Sequence, residues 1–185
     1  MKSKLLLITI ALVAITIKAQ SQASGTFTDS RDGKTYKTIT IGSQTWMAEN
    51  LNYITEAVAF CYDDSFPNCD KYGRLYNWST AKNACPNGWH LPTKNEFDTL
   101  ISHVGNYGAK GYKALKVGGR SGFDGLLGGY CTELYEYNHI EYCGYWWLSS
   151  ESNEEKSWYF YIMHGSATRY FTSKNDFLSV RCIKD

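Results

Sequence analysis

Six cysteines behind an apparent export leader restrict what this chain can fold into more than any other feature. Cys61, Cys69, Cys85, Cys131, Cys143 and Cys182 all lie beyond residue 19. The sequence opens Met1-Lys2-Ser3-Lys4, runs apolar from Leu5 to Ile17 and turns polar at Lys18-Ala19-Gln20-Ser21. A short basic stretch before an apolar run too short to span a bilayer is the pattern of a secretory signal peptide, with cleavage expected after Ala19 and no stable membrane span afterwards. No cysteine lies near that cut, so nothing points to a lipid-anchored terminus. In an exported chain an even cysteine count is read as up to three disulfides, among fifteen pairings. A thiolate metal site would need closely spaced ligands, but the gaps are irregular and no CxxC occurs.

The expected organisation is a signal peptide at 1–19, a short leader at 20–25 and one domain at 26–185. A mature chain of about 166 residues can bury roughly two-thirds of its unfolded surface in a single core. Cleavage would remove Lys2, Lys4 and Lys18 and leave 16 basic against 18 acidic side chains, a net charge of about −2. That balance lacks the basic footprint a nucleic-acid partner demands.

Local signals give an α+β chain. "KTYKTITI" between Asp32-Gly33 and Ile41-Gly42-Ser43 predicts a strand, with Thr45 to Met47 returning beside it. Asp63 to Tyr72 reads as a loop that a Cys61 to Cys69 bridge would close, and Asp63, Asp64 and Asp70 could offer oxygen ligands to calcium. Leu75, Trp78, Ala81 and Cys85 share one helical face until Pro86-Asn87-Gly88 stops it. After Pro92, Thr93 and Glu96 form a capping box, with Phe97, Leu100, Ile101 and Val104 on one side of a second helix. Glycine-rich sequence from Val104 to Cys131 contains no phosphate-cradling motif and predicts a long irregular loop region. "GYWWLSS", "KSWYFYIMHG", "ATRYFTS" and "LSVRCIKD" predict a late antiparallel sheet.

Several of these stretches together carry a resemblance. "DSRDGKTYKTITIGSQTWMAENLNY" at 29–53, "CYDD" at 61–64, "YGRLYNWSTAKNACPNGWHLPTKNEFDTL" at 72–100, "GYWWLSSES" at 144–152 and "SVRCIKD" at 179–185 resemble the Fibrobacter succinogenes major paralogous domain. That family is considered related to C-type lectin-like domains, whose other branches include formylglycine-generating enzymes. The resemblance implies a C-type lectin-like fold with a Cys85 to Cys182 disulfide, suggests Cys131 to Cys143, and leaves Cys61 with Cys69. It brings no established activity. The Glu-Pro-Asn, Gln-Pro-Asp and Trp-Asn-Asp triplets of calcium-dependent sugar-binding lectins are absent, and Trp146-Trp147-Leu148-Ser149-Ser150 stands where the last would fall.

Three readings of function follow. The leading one is an exported, secreted or surface-associated binding domain, with the periplasm as another compartment, for a polysaccharide or a surface protein. Its ligand-facing residues are expected at Tyr135, Tyr137, Glu133, Glu136, Tyr142 and Trp147, with Tyr130 and Tyr145 also flanking the 131–143 segment, because tyrosine joins a flat apolar face to a hydroxyl. Of the adjacent Trp146 and Trp147 one is expected in the core and the other toward a loop or solvent, while Trp46, Trp78, Trp89 and Trp158 are read as core. The second reading is a disulfide-tied scaffold without a small ligand. The third is an oxidase-like enzyme using Cys131 or Cys143 near His139. His90 reads as a structural histidine at a tight corner, His164 as a turn residue and Glu154-Glu155 as a solvated hairpin. No catalytic residue and no cofactor is assigned.

Overall fold

The computed structural model describes residues 23–185. The expected signal peptide at 1–19, its cleavage point and the first three leader residues lie outside the described residues. The chain order is β1 (Ser24–Thr28), β2 (Thr35–Ile41), β3 (Gln44–Met47), β4 (Ala59–Phe60), a 3-10 turn at Tyr62–Asp64, α1 (Phe66–Tyr72), β5 (Leu75–Asn77), α2 (Trp78–Ala84), β6 (Trp89–His90), α3 (Lys94–Val104) and α4 (Ala109–Leu115). There follow β7 (Gly128–Cys131), β8 (Tyr137–Ile140), β9 (Cys143–Glu151), β10 (Lys156–Met163), β11 (Ser166–Ser173), β12 (Phe177–Ser179) and β13 (Ile183–Lys184). This is the α+β class expected. β1 starts at Ser24, two residues before the boundary read from the sequence.

Two sheets organise the domain. One runs β1-β2-β3-β13-β6, so a strand from residues 183–184 is inserted between strands from the first half of the chain. The other runs β11-β10-β9-β7-β12-β5-β4, with β8 paired to β7. The capping box forms as predicted: the Thr93 hydroxyl accepts from the Glu96 backbone N–H at 3.2 Å, and the Glu96 carboxylate accepts from the Thr93 N–H at 2.7 Å. Phe97, Leu100, Ile101 and Val104 are all buried. The preceding helix begins at Trp78 rather than Leu75, because Leu75 to Asn77 pairs with β12 and the Asn77 side chain caps the Thr80 N–H at 3.0 Å. Within the glycine-rich region "YKALK" reads from the sequence as a short helical turn or a strand; the helical alternative holds and extends to Ala109–Leu115 as α4.

Adjacent tryptophans in β9 point to opposite faces, and both faces are covered. Trp146 joins Phe97, Phe123 and Phe160 beneath α3 and α4, whereas Trp147 joins Tyr76, Trp78 and Leu178. The expectation that one of the pair meets loop or solvent therefore fails: neither has any exposed surface. Trp46, Trp78 and Trp89 are core residues, but Trp158 is only half-buried, with Lys94 and Arg169 lying over its ring at 5.2 and 5.3 Å.

Where these layers meet, Arg181 is completely buried, and among the described residues no carboxylate lies within ion-pair distance of it. Its Nε and one terminal nitrogen donate to Asn50 Oδ1 at 3.1 and 2.8 Å, its other terminal nitrogen donates to the Phe123 carbonyl, and the guanidinium lies 4.3 Å from the Phe123 ring centroid. Asn50 Oδ1 also accepts from Trp146 Nε1 at 2.7 Å, and Asn50 Nδ2 donates to the Tyr72 carbonyl at 2.8 Å. Burial pulls the Arg181 pKa down to about 9 against the charges of Asp124 and Glu49, which leaves a cation at neutral pH. Gly73, at φ +77, lets the end of α1 close on this knot: a Cβ there would meet the Leu51 oxygen at 2.7 Å and the Asn50 Cβ at 2.8 Å.

Cys61–Cys69 ties the residue before the 3-10 turn to the middle of α1, so most of the stretch read from the sequence as a loop is helical, and Cys85–Cys182 joins the end of α2 to the residue before β13 with Cα atoms 5.9 Å apart. The Cys131 to Cys143 bridge does not form, and both are buried thiols. The parallel register explains this: Gly129 stands opposite Gly144, so the two cysteines are offset by three residues along neighbouring strands, roughly 10 Å at the usual rise per residue and too far for a disulfide.

Asn50→Ala removes the acceptor shared by Arg181 and Trp146 and is expected to cost about 3 kcal/mol of unfolding free energy in urea denaturation. Arg181→Met, which removes the buried charge together with its need for partners, is expected to cost less. Equal losses would mean that Asn50 acts through packing alone.

Candidate functional site: a tyrosine face on the larger sheet

Strand alternation builds the site. In β10, Phe160 and Ile162 enter the core beneath α3 and α4, so Tyr159 and Tyr161 point to the opposite side. The register sets Tyr161 opposite Tyr145 and Tyr159 opposite Trp147 in β9, and on the other flank Tyr159 faces Tyr170 in β11. Tyr145 lies 5.7 Å from Tyr159, 5.9 Å from Tyr161 and 4.9 Å from Tyr130 of β7 between ring centroids. His139 of β8 extends the array: its ring is 5.7 Å from Tyr130, and its Nδ1 is 2.8 Å from the Tyr145 hydroxyl. Tyr142, 53% exposed, stands at the rim with its ring 5.3 Å from His164.

Within this face, Tyr130, Tyr145, Tyr159, Thr172 and Leu178 line a cavity of about 90 Å³. Thr172 donates its hydroxyl to Asp176 at 2.5 Å, and the second Asp176 oxygen accepts from the Glu133 N–H at 3.0 Å, so a nearly buried carboxylate anchors the cavity wall. Burial raises the pKa of Tyr130, Tyr145 and Tyr159, and all three phenols stay protonated at neutral pH. Asp176 and Glu136 reinforce the shift at Tyr130 by like charge. The face thus offers aromatic planes and neutral hydroxyls beside carboxylates, with no lysine or arginine lining the cavity.

The expected site residues are divided by the fold. Tyr142 belongs to this face. Tyr135, 62% exposed, and the half-buried Tyr137 belong to another cluster around Phe60, with ring centroids 6.0 and 6.1 Å from it. Glu133 is exposed and accepts from Ser173 at 3.0 Å, whereas Glu136 points to solvent without a side-chain partner among the described residues. Trp147 cannot face a ligand, since it is fully buried and donates its indole N–H to the Tyr76 carbonyl at 2.7 Å. Tyr159 and Tyr161 were not among the expected set; the signal for them was the Tyr-Phe-Tyr alternation in "SWYFYIM", which places two tyrosines on one strand face.

The remaining candidates resolve into structural roles. Cys131 is pushed up to about 11 by burial, with nearby Asp176, Asp64 and Glu136 adding to the rise. Burial raises Cys143 as well, so neither thiol supplies a thiolate nucleophile at neutral pH. Among the described residues no three His, Cys, Asp or Glu side chains gather as a metal-binding group, and Asp63 and Asp64 lie in the 3-10 turn while Asp70 is in α1. His164 lies in the turn between β10 and β11, and Glu154-Glu155 are exposed. His90 holds Asp185 through Nδ1 at 2.5 Å and Glu96 through Nε2 at 2.9 Å. With a carboxylate at each nitrogen, the doubly protonated ring satisfies both contacts and keeps no lone pair for base chemistry.

Residues 39–184 match the family described as the Fibrobacter succinogenes major domain. No curated protein and no solved structure matches the chain.

Burial opposes the charge on His90, but Asp185 and Glu96 outweigh it and raise the pKa above the ordinary 6.5. The resulting stabilisation is complete below the unfolded pKa and disappears as pH rises through the folded value. Glu96 is affected first by burial, which raises its pKa, and then by the Thr93 and His90 contacts, which hold it below 4.5; its contribution is lost only as the solution becomes more acidic. Between about pH 6 and pH 8 the melting temperature is therefore expected to fall, and His90→Gln to flatten that slope. Indistinguishable slopes in thermal scans of the two proteins would contradict this assignment.

Proposed function

We propose that this protein, which belongs to the Fibrobacter succinogenes major domain family, is an exported, non-catalytic binding module whose tyrosine face takes a neutral polysaccharide. The observation that carries this reading is the packed array of Tyr130, Tyr145, Tyr159 and Tyr161 with His139 at its edge. Pyranose rings present C–H-rich faces and equatorial hydroxyls, which match aromatic planes carrying protonated phenols. The carboxylates of Glu133, Glu136 and Asp176 oppose an acidic chain at the same place.

Export to the cell surface, the medium or the periplasm is supported by the N-terminal leader and by two disulfides that suit an oxidising compartment. The described residues contain no helix long and apolar enough to cross a membrane. A lectin-like relation is supported by the Cys85–Cys182 bridge, which joins the first helix of the two-helix corner to the last part of the chain. A protein partner is the second reading, favoured by the adjacent Leu134 and Tyr135, which are 75% and 62% exposed, with the Tyr135 ring 6.0 Å from Phe60.

A screen of neutral and acidic polysaccharides against the oxidised protein tests the proposal. Neutral chains are expected to bind, and Tyr142→Ala and Tyr161→Ala each to weaken binding about tenfold without moving the melting temperature. Preference for acidic chains, or binding indifferent to both substitutions, would move the ligand site elsewhere.

A further inference from the structure

From Thr99 to Phe123 the sequence carries Lys110, Lys113, Lys116 and Arg120 but no aspartate or glutamate. In a chain of nearly balanced charge this is a local excess of positive charge, and the fold gives it a shape. The end of α3, the turn at Gly105 and α4 enclose an open concavity of about 560 Å³, lined by Gly105, Asn106, Lys110, Lys113, Ala114 and Arg120. Among the described residues none of the three lining cations is within ion-pair distance of a carboxylate.

One of these cations has a structural task. Arg120 donates to the Val104 carbonyl at 2.8 Å and so satisfies the C-terminal end of α3, where a positive charge also complements the helix dipole. That leaves Lys110 and Lys113, one turn apart on α4, without such a task. Gly105 keeps the floor open: at φ +123, a Cβ would stand 3.2 Å from the Lys110 Cβ and 3.4 Å from an Arg120 terminal nitrogen. Three like charges around an open hollow repel one another, and a multiply charged anion between them reverses the sign of that energy.

We propose that this hollow is a binding site for a phosphate group, whose three acceptor oxygens and double charge suit one guanidinium and two ammonium groups better than a single carboxylate does. The volume is that of a small-molecule site, enough for the sugar or glycerol that bears the phosphate. It is separate from the tyrosine face. Ala114 and Leu115 of α4 pack with Trp146 and Phe160, while Tyr145 and Tyr159 border the core on the other side of the sheet, so either site can fail without the other.

The test is an amide-resolved NMR titration of the oxidised protein with inorganic phosphate, glucose 6-phosphate, and vesicles of phosphatidylcholine with or without phosphatidylglycerol, at constant ionic strength. Saturable shifts confined to residues 104–120 are expected. Lys110→Gln and Lys113→Gln should each weaken binding about tenfold. Both positions are exposed, so an unchanged melting temperature shows that the variants fold. A response to glucose 6-phosphate identifies a phosphosugar source, and a response to phosphatidylglycerol alone a lipid source; either supports the phosphate site. Shifts that fail to saturate, that chloride reproduces, or that survive both substitutions overturn it.

Discussion

A buried guanidinium with no carboxylate in ion-pair contact among the described residues sets the terms for the rest of this molecule. Arg181 is held by one amide oxygen, by main-chain carbonyls and by aromatic faces, all of which must be in place before the charge can leave water. Asn50 contributes from the segment after β3, Phe123 from the loop after α4 and Trp146 from the middle of β9. Segments distant in sequence are therefore tied by the hydrogen-bonding needs of a single side chain. Hydrophobic burial supplies compaction, but it is indifferent to register. The Asn50 and Arg181 knot is directional, and it fixes which surfaces of the sheets meet.

The stretches that carry the family resemblance furnish this interior. Trp46, Met47, Asn50 and Leu51, then Tyr76, Trp78 and Leu91, then Trp146, Trp147, Val180, Arg181 and Cys182, are all buried. They describe a frame. The tyrosine array draws instead on strand positions facing away from α3 and α4, and of its central members only Tyr145 lies within the quoted motifs. The motifs identify the fold while most of the proposed ligand surface is written elsewhere in the chain.

What could be read in advance follows from how local each determinant is. The capping box at Thr93 and Glu96, the apolar stripe of α3 and the two turns around β2 depend on residues within a few positions, and each was legible. The start of α2 was not, because Leu75 has the right helical spacing but its backbone is claimed by β12. The family resemblance suggested a Cys131 to Cys143 pairing across a long loop; only the parallel register of β7 and β9 reveals the offset. Trp147 was read as exposed because alternation says that two adjacent residues part, yet it does not say that both faces are covered. The tyrosine-rich character of the site was visible, whereas the choice of Tyr159 and Tyr161 over Tyr135 and Tyr137 required knowing which strands lie side by side.

The position of β13 has a consequence for biogenesis. Because Ile183 pairs with both Trp46 and His90, the smaller sheet has a gap until the last few residues are available. Arg181 and Cys182 belong to that same segment, so closure of the sheet, burial of the charge and the long-range disulfide all depend on one short stretch of chain. Closure of the smaller sheet therefore rests on pairings between residues far apart in sequence, Ile183 with Trp46 and with His90, and such non-local contacts form slowly because the intervening chain must first be ordered.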